Sequence, residues 1–415
     1  MKLQPAPWRV AGSGALLIGV AAMSVLYAPQ ALLGAIADDF DRSAFEANFV
    51  VSATTIGIAA GVFPMAWISA RAGRRTTIAV ALVAGVLLTL ATAFASEWWM
   101  LVASRVLAGL SIAAVLVSAL VWVAEDVPRA TSRRVAALYV AGTTAGGMAG
   151  RIVAGAVAEF FGWRAGVLAV DAVVLLCTIG GLLAIAAYHR RRPVVVDDGP
   201  VTTAPRRAAP RRARIMLYAL GFLGTAAFVG LYNAIAFRML EPPFSLGVGL
   251  TSLLFLTYIA GTLSSVRAGV IIDRIGVRLT IVTGLALAIV GVAITMIESL
   301  AAVIAGLLVL AAGFFIVHTA NSATVPAVSP APTTGSALYT LWYYTGSSVG
   351  AVLIGAAWDF ARWGAVVAVA GALLLLGICL AFLLPRQLGE APTTMLHTPT
   401  EPGATPATAI KENTP

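Results

Sequence analysis

Charge is scarce in this sequence. Of 415 residues only 11% are Asp, Glu, Lys or Arg while 60% are hydrophobic, whereas a soluble domain carries about 25% charged side chains. Water is thereby excluded as the solvent for most of the surface. Cysteine is nearly absent as well. Cys177 and Cys379 sit in apolar stretches of opposite halves, where a thiol behaves as a small hydrophobe, so the chain has neither a disulfide framework nor a marker of redox compartment. The three histidines, His189, His318 and His397, are scattered, which leaves no metal-ligand spacing and no clustered intramembrane catalytic group. No Gly-x-x-x-x-Gly-Lys-Ser/Thr loop is present to cradle a nucleotide phosphate. An enzyme, a metal site and an ATP-driven pump are set aside on these grounds, and no cofactor is expected.

What fills the chain instead is a series of apolar runs. Crossing a hydrocarbon core of about 30 Å takes roughly 20 residues, and twelve stretches qualify: 10–33, 47–69, 76–95, 99–124, 135–158, 164–187, 214–237, 247–270, 279–297, 301–324, 336–357 and 363–384. The first follows Lys2 and Arg9 in the manner of a secretory signal, but no small-residue cleavage site ends it and eleven spans follow, so it reads as helix one. A formal charge of +9 would suit nucleic acid if it were gathered on one face. Placing the N-terminus in the cytoplasm instead puts 20 of the 27 Lys and Arg on that side, with Arg42, Arg164, Arg238 and Arg362 outside and Arg105, Arg151 and Arg267 within spans. That asymmetry is the positive-inside rule. It predicts cytoplasmic termini and contact with membrane lipid rather than nucleic acid.

The spans repeat. Ala66 to Arg75 and Gly269 to Arg278 are degenerate copies of one basic loop set 203 residues apart. Gly142-xxx-Gly146 recurs as Gly346-xxx-Gly350 at an offset of 204, and Leu26-Tyr27 is echoed by Leu231-Tyr232. Two helical halves of equal length mark a transporter that rocks one half against the other. The expected domains are a six-helix bundle over 1–187, a basic cytoplasmic linker over 188–213, a second bundle over 214–385, and a disordered tail over 386–415 that has nothing to bury. The linker's arginines either hold anionic headgroups, at about 1 kcal/mol each, or form a solvated topogenic loop.

A charge near the bilayer centre costs about 2.5–3.5 kcal/mol, so charged residues within spans must face protein or water. By the 1.5 Å rise per residue, Arg105, Arg151 and Asp171 fall at similar depth in the outer half of the first bundle. Asp171 is expected to pair with one arginine, leaving the other to face substrate or a titrating group; an ion network that only holds helices together is the alternative. In the second half His318 is either a proton relay, since imidazole titrates near neutrality, or a hydrogen-bonded neighbour of Thr319 and Asn321. Tyr27, Gln30, Tyr232, Asn233, Trp342, Tyr343 and Tyr344 read as cavity walls or, for the aromatics, as interfacial anchors. The helix-five ladder Gly142, Gly146, Gly147 and Gly150 lets backbones approach closely, as static packing or as a sliding seam between the halves.

Through these residues the chain resembles the major facilitator superfamily over all twelve spans. The loop after helix two resembles the family's Gly-x-x-x-Asp-Arg-x-Gly-Arg-Arg motif, carried by Arg71, Gly73, Arg74 and Arg75, with Ala66 and Ala70 replacing the glycine and the aspartate. The loop after helix eight keeps Gly269, Asp273, Arg274, Gly276 and Arg278. In the family this motif latches the cytoplasmic ends of the halves in the outward-open state, and Glu125 and Asp126 offer substitute partners for Arg71 or Arg75. Arg105-Val-Leu-Ala-Gly109 is similar to a helix-four motif of family proton antiporters. The helix-five ladder is similar to their Gly-x-x-x-Gly-Pro-x-x-Gly-Gly, with Gly147 for the proline and Arg151 for the last glycine. Gly162-Trp163-Arg164, Leu231-Tyr232-Asn233 and Leu341 to Gly346 extend the resemblance to a bacterial efflux branch of arabinose-efflux-like permeases. It implies an all-α integral membrane protein of twelve transmembrane helices in two pseudo-symmetric six-helix bundles, a monomer of the bacterial cytoplasmic (inner) membrane. It also implies proton-coupled export of a small organic solute by alternating access, with uptake, passive carriage and a non-transporting sensor as the other readings. Deep charges that are mainly arginine favour neutral or anionic cargo.

Overall fold

The computed structural model describes residues 7–190, 208–386 and 388; the linker stretch 191–207 and the tail from 389 lie outside the described residues. Nine helices there are long and apolar enough to cross a membrane. Three of them break their helical dihedrals at a single corner, at Gly162, at Gly276, and at Ala361 with Arg362, so nine helices make twelve spans. We number these α1 (Pro7–Asp39), α2 (Ala44–Ala72), α3 (Arg74–Ala93), α4 (Trp98–Asp126), α5 (129–161), α6 (163–190), α7 (Arg211–Arg238), α8 (248–275), α9 (277–294), α10 (Leu300–Val328), α11 (332–360) and α12 (363–382). They form two pseudo-symmetric six-helix bundles, α1–α6 and α7–α12, as the sequence repeats imply.

Two details of the repeat have a backbone cause. Gly73 and Gly276 hold equivalent corners with φ of +89° and +78°, a region where a Cβ is strained; the glycine of the repeated loop survives in both copies although the first copy has lost its aspartate. In α1 the helix tightens into a 3-10 turn at Ala28–Leu32, with Pro29 in its first turn, because proline removes a backbone donor and crowds the preceding turn. That turn carries Gln30.

The glycine ladders pack within each bundle. A Cβ on Gly142, Gly146 or Gly150 would run into the α1 backbone at Leu16, Val20 or Ser24, and one on Gly346 or Gly350 would meet Phe222 or Ala226 of α7. These are α1–α5 and α7–α11 seams, which corrects the expectation of a sliding seam between the halves. The small residues at the crossings between bundles are others: Gly155 of α5 abuts Val248 and Ser252 of α8, and Gly355 of α11 abuts Ala44, Phe45 and Asn48 of α2.

Most basic loops lie at one end of the helices, with Arg71–Arg75, Arg129–Arg134 and Arg274–Arg278; we name this the basic end. Among the described residues, every hydrogen bond between the bundles lies in the half of the molecule away from it. At the far ends of the helices the Asp359 carboxylate of α11 accepts from the Ala44 and Phe45 amides at 3.2 and 2.8 Å, and the Glu159 carboxylate of α5 accepts from the Gly249 amide at 2.8 Å. Each acid thus caps the first turn of a helix in the other bundle, α2 in one case and α8 in the other, where orphan amides and the helix dipole favour an anion. Deeper, Thr55 Oγ1 and Ser348 Oγ lie 2.6 Å apart, and the Ser52 hydroxyl donates to the Ser348 carbonyl at 2.9 Å. The molecule is therefore closed at the capped end.

Candidate substrate-binding cavity

Between the bundles, from mid-depth toward the basic end, lies a cavity of about 370 Å³ lined by α1, α4 and α5 on one side and by α7, α8, α10 and α11 on the other. Its size falls in the range of small-molecule sites. The lining contains no Asp, Glu or Lys; Arg151 is its one permanent charge.

Arg151 heads the cavity. Its guanidinium is wholly shielded from bulk water and lies 3.8, 4.6 and 4.8 Å from the ring centres of Tyr27, Phe255 and Tyr258, the separation of cation–π contacts. Its Nε donates to Gln30 Oε1 at 2.6 Å, one terminal nitrogen donates to the Gly147 carbonyl at 2.6 Å, and the other reaches the Tyr258 hydroxyl at 3.4 Å. No carboxylate of the described residues comes within ion-pair distance. A guanidinium has five N–H donors, so one on each terminal nitrogen is left over, the number a carboxylate takes in a two-point contact. From Gln30 a chain of amides continues to the closed end: Gln30 Nε2 donates to Asn233 Oδ1 at 2.5 Å, Asn233 Nδ2 donates to Asn48 Oδ1 at 2.6 Å, and Asn48 Nδ2 donates to the Ala44 carbonyl at 2.8 Å.

The α7–α12 side of the cavity is a wall of rings. Phe228 stacks on Phe314 at 3.9 Å between centroids, and Tyr258 lies 5.2 Å from Phe228. Toward the basic end His318 lies 6.0 Å from Phe314 and 4.8 Å from Tyr343, and its Nδ1 is 3.0 Å from the Tyr339 hydroxyl.

The sequence profile of the Major Facilitator Superfamily matches residues 14–351. The chain belongs to the major facilitator superfamily. This facilitator is 30% identical to the inner membrane transport protein YnfM of Escherichia coli over 89% of each chain, and 26% identical to the MFS-type transporter YybF of Bacillus subtilis over 89% of this chain and 92% of that one. Its fold superposes on a bacterial homologue of the human lysosomal transporter Spinster, solved in an inward-facing, occupied conformation, with a TM-score of 0.71 and 16% identity over 92% of this chain and 97% of that one. It is a multi-pass membrane transporter, not an enzyme.

In this facilitator the predicted site residues divide into groups. Tyr27, Arg151, His318, Tyr343 and Tyr344 line the cavity. Gln30 and Asn233 belong to the amide chain above it. Tyr232 is buried in the ring cluster behind the wall, its hydroxyl 2.7 Å from Thr257 Oγ1, and Trp342 packs against Phe222 with its outer face exposed; neither reaches the cavity. Arg105 is wholly buried away from it, its Nε donating to Thr54 Oγ1 at 2.9 Å and one terminal nitrogen to the Val25 and Leu26 carbonyls at 2.7 and 3.1 Å. It ties α4 to α1 and α2. Asp171 pairs with neither arginine: its carboxylate has no ion-pair partner among the described residues, and Oδ1 is buried without a hydrogen bond. His318 bonds to Tyr339 rather than to Thr319 or Asn321.

The motif loops are also resolved in detail. Arg74 reaches Glu125 with two nitrogens at 3.3 Å and Ser69 Oγ at 3.2 Å, Arg75 lies 3.8 Å from Asp126, and Arg71 stacks on Trp67 at 3.8 Å. Of the arginines expected to meet these acids, Arg75 lies beside Asp126, while Glu125 is taken by Arg74 rather than Arg71. In the second copy Asp273 and Arg274 are exposed, and Arg278 faces Phe382 and the Leu384 carbonyl. No hydrogen bond or ion pair among the described residues joins the two loops. Sequence reasoning missed Tyr258, Phe314 and Tyr339. The signal available was spacing: Phe314 with His318 and Tyr339 with Tyr343 are i, i+4 pairs that share a helix face.

Proposed function

We propose that this facilitator is a proton-coupled secondary carrier of small organic anions that works by alternating access as a monomer in the bacterial cytoplasmic membrane. The observation that carries the reading is Arg151, a buried cation with no acid beside it, heading a cavity that contains no negative charge. Burying an uncompensated charge costs several kcal/mol, and an incoming carboxylate or similar anion supplies the missing partner. The positive-inside rule assigns the basic end and both termini to the cytoplasm, so the closed end faces out and the state described is inward-facing. His318 is the cavity's group suited to carrying a proton. Export is the direction favoured by the resemblance to efflux permeases. Uptake is the second reading, favoured by the presence of His318 and Arg151 on one cavity: a proton taken up by the first and an anion held by the second would attract each other and move together down an inward proton gradient.

Proteoliposomes with an imposed proton gradient, offered matched organic acids, amines and sugars, test the proposal. Acids are expected to cross and the others not. Arg151→Gln is expected to lower the rate at subsaturating acid roughly a hundredfold, the scale of a charge-assisted bidentate contact. Carriage of amines or sugars alone, or an unaffected Arg151→Gln protein, would falsify it.

A further inference from the structure

The charge at the head of the cavity selects an anion; the walls carry information about the rest of the cargo. They are unlike in kind. Along α5 the cavity meets Thr143, Thr144 and Gly147 between Tyr139 and Arg151, and both threonine hydroxyls donate to the Val140 carbonyl, at 2.7 and 3.3 Å. The opposite wall is aromatic over its whole depth, with the Tyr258, Phe228, Phe314 and His318 rings following one another at 5.2, 3.9 and 6.0 Å. That run of rings is a surface a flat molecule can lie against.

The cavity has a polar group at each pole. Arg151 lies ten positions from the capped end of α5, and His318 eighteen positions from the capped end of α10. At 1.5 Å per residue the poles are separated by roughly 12 Å of depth. The near pole offers the guanidinium fork. The far pole offers the His318 and Tyr339 pair, with Nδ1 and the hydroxyl 3.0 Å apart, which leaves Nε2 of the imidazole and the remaining hydrogen-bonding capacity of the phenol for a ligand in either tautomer. We propose that the cargo is an aromatic carboxylate bearing a hydroxyl or comparable hydrogen-bonding group on its ring at the end remote from the carboxylate. This rests on the organic-anion reading above and narrows it: the carboxylate sits in the Arg151 fork, the ring lies against Phe314 and its neighbours, and the distal hydroxyl meets His318 and Tyr339. Aliphatic acids bury similar apolar area but lack the ring quadrupole, and each well-placed ring pair adds roughly two- to tenfold in affinity beyond area burial.

Binding to the purified full chain in nanodiscs, followed by calorimetry with three probes, tests this: 4-hydroxycinnamate, cinnamate and 3-cyclohexylpropanoate. The expected order of affinity is as written, with cinnamate about tenfold tighter than the cyclohexyl acid. In Phe314→Leu that ratio should fall toward one, in His318→Phe the advantage of the hydroxyl should vanish while the ring preference stays, and in Arg151→Gln all three should weaken together. Equal affinity of the wild-type protein for cinnamate and the cyclohexyl acid overturns the aromatic assignment and leaves the anion reading standing. Failure of the wild type to bind any of the three overturns both. The wild-type comparison decides the matter even if a variant fails to fold.

Discussion

At the residue scale, two cavity side chains carry the chemistry and can be separated by experiment. Arg151 is a fixed charge, whereas His318 can gain one. When the imidazole is protonated the cavity holds two positive charges, so anion affinity is expected to rise as the solution is acidified. His318→Gln should flatten that pH dependence for cinnamate, which has no ring hydroxyl to meet His318, measured by the same calorimetry across a pH series; an unchanged profile would place the titrating group elsewhere. Arg105 and Asp171 show why composition alone misassigns such groups. All three charges lie in the same half of the bundle by residue counting, yet helical phase turns Arg105 onto α1 and α2 and leaves Asp171 unpaired, while Arg151 alone opens on the cavity. Depth was readable from the sequence. Azimuth was not, because nearly every position of these helices is apolar and no polar stripe marks the inward face.

At the element scale, the spans, their number and their pairing by repeat were legible because membrane helices need long apolar runs and the duplication left glycines at equivalent corners. What the glycine ladders pack against was not legible, since a small residue permits close approach without naming the partner. The structure places Gly142, Gly146 and Gly150 against the α1 backbone. Replacing Gly142 with Leu should therefore destabilise the first bundle itself, by about 1–3 kcal/mol for an overpacked contact. Thermal unfolding in detergent would read this as a lowered midpoint whether or not ligand is present. A variant that melts normally but transports poorly would restore a seam between the bundles. Sequence reasoning also overlooked Gly155 and Gly355, which do lie where the bundles cross; the signal available was a second repeat at an offset of 200, Gly155-Ala-x-x-Glu159-Phe160 and Gly355-Ala-x-x-Asp359-Phe360.

At the scale of the whole molecule, the hydrogen bonds that join the bundles, among the described residues, all lie toward one end. Two helix caps, the amide chain from Gln30 to Asn48 and the Ser52, Thr55 and Ser348 cluster hold the bundles together there, while the motif loops at the other end stand unengaged with each other. A helix cap contributes typically ~1 kcal/mol, so removing both shifts the balance between closed and open by roughly tenfold to thirtyfold. The double variant Asp359→Ala with Glu159→Ala is expected to make a cysteine at position 55 react faster with a membrane-impermeant thiol reagent from the capped side, in a protein whose two native cysteines are replaced. An unchanged labelling rate would show that the caps are incidental to closure.

The two caps also bear on how such a chain arose. Glu159 and Asp359 stand 200 residues apart, and each reaches from the fifth helix of its own half to the start of the second helix of the other. Such reciprocity is the hallmark of an isologous contact, in which one surface patch meets its own copy across a two-fold axis. A six-helix ancestor bearing that single acid could have closed on a second copy of itself before fusion joined the pair, and the present linker then records a partnership that the carboxylates had already made.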